Sequence, residues 1–115
     1  MTTNEVVKTA YKALDDKKAV DIKVLSIAEV SVIADYFIIA GGENKNQVQA
    51  LFENVEGELR KNGVSPKHVE GNNNSNWILM DYGDVIIHIF NQEDRLFYDL
   101  ERIWKDGKSI SIEEM

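Results

Sequence analysis

The chain has 115 residues, 43% of them hydrophobic and 29% charged, with one proline and no cysteine. That length and balance fit one domain, residues 1–115, able to bury its own core. The missing thiols exclude disulfides, thiol catalysis and thiolate metal sites, and no apolar run is long enough to span a membrane. With 13 basic against 20 acidic residues and a net charge of −7, phosphate-driven nucleic-acid binding is disfavoured. A basic protein partner suits the charge better, although the same charge also serves solubility alone. The N-terminal residues have neither a basic region nor an apolar signal core, as expected of a chain without a targeting segment.

Thr2-Thr3-Asn4-Glu5 contains a capping pattern, and Val6, Val7, Ala10, Tyr11 and Leu14 recur at helical spacing. A helix is therefore expected from about Thr3 to Lys18. Asp21 to Ile27 alternates, with Ile22, Val24 and Ser26 on one side and Lys23 and Leu25 on the other, which predicts a strand near a sheet edge. Residues 28–34 show no clean period. Asp35 to Ala40 is nearly continuously apolar, the mark of a strand buried on both faces, and Gly41-Gly42 ends it.

A second helix is expected from about Asn44 to Asn62. Val48, Leu51, Phe52, Val55 and Leu59 form its stripe, and Glu53, Asn54 and Lys61 its wet side. Gly63 is the stop, and Pro66 to Glu70 a short strand candidate. A polar run, residues 72–76, leads to two strand-forming arms joined by Gly83-Asp84, a hairpin signal with glycine first. That turn sets the register. Tyr82, Met80 and Ile78 oppose Val85, Ile87 and Ile89 on one face, while Asp81, Leu79 and Trp77 oppose Ile86, His88 and Phe90 on the other. The first face reads as core.

Asn91 can cap a last helix, with Leu96, Leu100 and Ile103 on one side and Gly107 as its end; the tail to Met115 reads as frayed. The expected fold is α/β (α+β), a single mixed sheet of about five strands with three helices, in the order α-β-β-α-β-β-β-α. Helices on one side of such a sheet leave the other partly open.

Three chemistries are open to these residues. Gly41-Gly42 before a helix could approach a phosphate, as a glycine pair does in a nucleotidyltransferase. That reaction also needs carboxylates holding Mg²⁺, usually Asp-x-Asp or Asp-x-Glu on the next strand. Here the next strand has only Glu70, and Asp81 and Asp84 are spaced too far apart for the motif. A tight turn into a helix explains the glycines without catalysis. His68 and His88 are the only histidines and have no third ligand in a metal-binding spacing. The mixed face, with Trp77, Leu79, Asp81, His88 and Phe90, fits a protein interface, flanked by Asp84 and by Arg95 and Tyr98 of the last helix. A helix packed over that face, or an Arg95–Asp99 pair, is the structural alternative.

Taken together the blocks resemble a known family, the ribosomal silencing factor S or Iojap-like group. The resemblance runs from Asp21 to Lys105. It is carried by Asp21-Ile22-x-Val24-Leu25, Ala34-Asp35-Tyr36-Phe37-Ile38-Ile39-Ala40-Gly41 and Glu70-Gly71. It continues through Trp77-Ile78-Leu79-Met80-Asp81-Tyr82-Gly83-Asp84, Val85 to Phe90, and Arg95-x-x-Tyr98-x-Leu100-Glu101-x-x-Trp104. Gly42-Glu43 and the 72–76 run are departures from its pattern.

The resemblance implies a nucleotidyltransferase-like fold without the catalytic carboxylates, so no enzyme activity, cofactor or metal. It implies binding to the large ribosomal subunit through the basic ribosomal protein L-fourteen, at the intersubunit face. The small subunit is then blocked from joining, and translation falls in starvation or stationary phase. With no transit peptide before the domain, a bacterial, cytoplasmic chain is expected. The same mixed face also offers a route to a homodimer when the chain is free.

Overall fold

A computed structural model describes residues 1–28, 32, 34–71, 77–92 and 108–110. Its first helix starts at a cap written in the sequence. Thr2 accepts from the Glu5 amide (3.2 Å) while the Glu5 carboxylate accepts from the Thr2 amide (3.1 Å), satisfying two amides that a first turn leaves without partners. Helix α1, Thr3–Asp16, then buries Val6, Val7, Ala10, Ala13 and Leu14. It ends in a left-handed residue, Lys18 (φ +60), with Lys18 N–H donating to Asp15 O (2.9 Å) and Ala19 N–H to Leu14 O (3.0 Å). Helix α2, Lys45–Lys61, ends in the same motif, but with Gly63 (φ +78) in the left-handed position.

The strands are β1 (Val20–Ser26), β2 (Tyr36–Gly42), β3 (His68–Glu70), β4 (Trp77–Asp81), β5 (Val85–Asn91) and β6 (Lys108–Ile110). They form one sheet in the order β3-β4-β5-β2-β1-β6. Strand β2 pairs with β5 in parallel, and the other pairings are antiparallel. The mixed sheet is the one the sequence predicted. The hairpin register also agrees: Trp77 opposes Phe90, Ile78 Ile89, Leu79 His88, Met80 Ile87 and Asp81 Ile86. Gly83 takes φ +89 as the first of the two turn residues, and Tyr82 N–H closes the turn on Val85 O at 2.9 Å.

Three expectations are corrected. The sheet has six strands, because Lys108–Ile110, expected to fray, pairs with β1 and sets Ile110 opposite Val24. Strand β1 is next to the edge strand β6, near the sheet edge as expected. Strand β2 runs on through Gly42 instead of stopping before the glycines. Asn54 is not on the wet side of α2, since its amide donates to Ala13 O of α1 at 2.7 Å. The last expected helix, with Arg95 and Tyr98, lies outside the described residues, and Asn91 closes β5.

Both helices contribute to the cluster on one sheet face. Val7, Ala10 and Leu14 of α1 and Val48, Leu51, Val55 and Leu59 of α2 share it with Ile38, Ala40, Ile78, Met80, Ile87 and Ile89. At about 25 cal/mol per Å² of apolar surface, each of the valine, leucine, isoleucine and methionine side chains contributes roughly 1.5–3 kcal/mol on burial. The opposite face carries a second, smaller cluster of Leu25, Ile27, Ala34, Phe37, Ile39 and Phe90, with Trp77 and Ile86 packed against it.

Candidate functional site

The alternation of β4 sorts its residues by side. Ile78 and Met80 are fully buried towards the helices, whereas Trp77, Leu79 and Asp81 are only half-buried on the opposite side. The register places Glu70 beside Leu79 and His68 beside Asp81 on β3. Both β3 residues are exposed, and His68 Nε2 lies 3.0 Å from Glu70 Oε1. The β3–β4 flank is thus a shallow surface of aromatic, aliphatic and acidic side chains.

Behind that surface the picture differs from the expectation of an open face. His88 is 4% exposed and Phe90 1% exposed, so both lie in the interior, beneath the surface they were expected to form. Strand β5 sits between β4 and β2, and rings from both neighbours, Trp77 and Phe37, lie against His88. The Phe37 ring lies 4.1 Å from the imidazole, centroid to centroid, and Phe90 is near-parallel to Trp77 at 5.7 Å. The Trp77 indole N–H donates to His88 Nδ1 at 2.9 Å, with the two ring planes near-parallel at 19°. Burial lowers the His88 pKa from 6.5 to about 3, because a charged imidazolium would lose its hydration.

Asp81 and Asp84 are both engaged locally. Asp81 Oδ1 accepts from Gly83 N–H at 2.7 Å, which fixes the turn. Asp84 is exposed, but its main-chain carbonyl accepts from Asp35 N–H (2.8 Å) and Tyr36 N–H (3.0 Å), and its carboxylate accepts from Thr3 Oγ1 at 3.3 Å. The hairpin turn therefore ties down the starts of β2 and α1, a role that composition and spacing alone did not reveal. Lys67 lies across the same turn, within about van der Waals reach of Gly83. Arg95 and Tyr98 lie outside the described residues.

Comparison with known proteins bears on this arrangement. The family model described as "Ribosomal silencing factor during starvation" matches residues 1–115. The chain belongs to the ribosomal silencing factor family. Among its relatives, ribosomal silencing factor RsfS of Bacillus subtilis is 39% identical over 113 residues, which is 98% of this chain and 96% of that protein. A crystal structure of a Chromobacterium violaceum protein superposes with a TM-score of 0.88 at 34% identity, covering 96% of this chain and 92% of that one. A more distant relative is the mouse protein named "Mitochondrial assembly of ribosomal large subunit protein 1". It is 27% identical over 94 residues, which is 79% of this chain and 41% of that protein.

In this silencing-factor fold Gly42 has a packing role. A Cβ on Gly42 would come within 2.8 Å of Val48 Cγ2 and 3.0 Å of its main-chain nitrogen, so glycine lets α2 leave the strand closely. Main-chain donors at the entry of α2 are engaged locally. The Asn44 side chain accepts from Gln47 N–H at 2.9 Å, and the Gln47 side chain accepts from Glu43 N–H. The Asn44 cap and Gln47 thus take up donors that a phosphate at this entry would otherwise use. Among the described residues no group of histidines and carboxylates is placed to hold a metal, and no helix is long and apolar enough to cross a membrane.

Proposed function

We propose that this chain binds the large ribosomal subunit through the basic ribosomal protein L-fourteen and sterically blocks the small subunit from joining. Translation falls as a result under starvation or in stationary phase. It acts as a single domain in the cytoplasm, by occupancy rather than catalysis, and needs no cofactor. Membership of the silencing-factor family over residues 1–115 carries this reading, and the printed name of the mouse relative points to the same subunit.

The surface chemistry supports it. Trp77 and Leu79 supply half-buried apolar anchors, and Asp81, with Asp84 at the turn, supplies carboxylates for lysine or arginine on a basic partner. His88 and Phe90 act from behind these anchors, and Arg95 and Tyr98 complete the proposed contact set. A net charge of −7 favours encounter with a basic protein and opposes contact with bare RNA. The test is to add the full chain to isolated subunits and follow joining in a sucrose gradient. The joined fraction should fall as the chain co-migrates with the large subunit. Unchanged joining at several-fold excess, without large-subunit binding, would overturn the proposal.

A further inference from the structure

His88 is an expensive choice for its place. It sits among Phe37, Phe90 and Trp77, where a phenylalanine would fill similar volume without desolvating a polar ring. What the imidazole adds is one lone pair. An indole nitrogen can only donate, so the 2.9 Å contact from Trp77 Nε1 makes His88 Nδ1 the acceptor and puts the ring proton on Nε2. The two ring planes are near-parallel, 19° apart, and the bond joins their edges at 2.9 Å.

Trp77 is the first residue of β4, where strand pairing constrains a side chain least. Its ring is half-buried and stacked on Phe90 at 5.7 Å, and the bond to His88 adds a directional constraint that stacking does not supply. Ordering such a side chain at an interface costs affinity, and a bond to a fixed interior acceptor removes that cost in advance.

We propose that His88 is a positioning residue, whose Nδ1 holds the Trp77 indole in the orientation that docks on the ribosomal partner. The inference rests on the docking reading above and adds to it a buried side chain that touches no partner. The low basicity of the buried imidazole agrees, because an uncharged ring is the form able to accept.

Two substitutions separate positioning from packing. His88→Asn places a side-chain oxygen near the Nδ1 position and keeps an acceptor, while His88→Phe keeps an aromatic ring and removes it. Binding of the full chain to purified large subunits is measured by co-sedimentation for wild type, both variants and Trp77→Ala. His88→Phe should weaken binding by roughly five- to thirtyfold, the factor expected for one lost hydrogen bond, and His88→Asn should stay within about twofold of wild type. In ¹⁵N-labelled free chain, the Trp77 indole proton should exchange slowly in wild type and His88→Asn and fast in His88→Phe. The wild-type His88 ring should be the Nε2–H tautomer.

Wild-type affinity in His88→Phe would overturn the inference and leave the docking reading standing. Fast indole exchange or an Nδ1–H tautomer in wild type would do the same. If His88→Phe does not fold, the tautomer and His88→Asn decide, and a tenfold loss in His88→Asn overturns the inference. Failure of wild type to bind large subunits overturns the docking reading and this inference with it.

Discussion

Burial of His88 gives the fold a specific acid sensitivity. The imidazole has an ordinary pKa of 6.5, lowered in the folded chain to about 3 by desolvation. Below pH 6.5 the unfolded chain takes up a proton that the folded chain refuses. The stability tied to this residue is therefore complete above 6.5 and is lost progressively as pH falls towards 3. Each pH unit inside that window costs about 1.4 kcal/mol, so moving from about pH 7.5 to about pH 5 removes about 2 kcal/mol. Glu5, whose carboxyl is held below its usual 4.5 by the Thr2 amide and hydroxyl, titrates beneath that interval. Urea unfolding of wild type and His88→Phe at both pH values isolates the contribution, because every other group titrates in both chains. Wild type should lose about 2 kcal/mol more than His88→Phe over that interval. If the two losses agree within about 0.5 kcal/mol, the scatter expected of independent sites, the imidazole is not held neutral by the interior.

Other outcomes follow from backbone geometry and packing, each read by chemical denaturation. Gly42→Ala should destabilise by about 1–3 kcal/mol, because the added methyl meets Val48 at 2.8 Å; an unchanged midpoint would mean that α2 can shift without cost. Lys18→Gly should stabilise by about 0.5–1 kcal/mol by relieving a left-handed lysine (φ +60), while Gly63→Ala at the equivalent end of α2 should destabilise by about 1 kcal/mol. Tyr82→Phe should be neutral or stabilising by about 0.5 kcal/mol. Its hydroxyl is buried without a hydrogen-bond partner among the described residues, and burial pushes its pKa up to about 12.

Much of the fold was legible because local signals agreed with one another. The Thr2–Glu5 cap, the Gly63 stop and the Gly83-Asp84 turn each specify a backbone conformation, and the turn then fixes every cross-strand pair of the hairpin. The sidedness of the hairpin was legible on β4, where alternation is clean, whereas β5 is buried on both faces over most of its length. The run Val85-Ile86-Ile87-His88-Ile89-Phe90 is as continuously apolar as Tyr36 to Ala40, interrupted by one histidine. Tyr36 to Ala40 was read as buried on both faces by that criterion, and β5, its parallel neighbour, obeys the same rule. Treating His88 as a surface polar residue overrode the stronger pattern. Strand β6 was less legible. Three residues on a polar flank carry little periodicity, and only the pairing of Ile110 with Val24 makes them a strand.

The proposed function places the docking surface on the half-buried side of β4 and the core on its buried side. Leu79→Lys tests it most directly. Position 79 is half-buried beside the exposed Glu70, so the fold can accept a lysine there, whereas a basic partner cannot accept it without charge repulsion. The measurement is the affinity of this variant for purified large subunits against wild type, with the unfolding midpoint as control. The account predicts binding at least about tenfold weaker with the midpoint retained; wild-type affinity in a folded Leu79→Lys chain would contradict it.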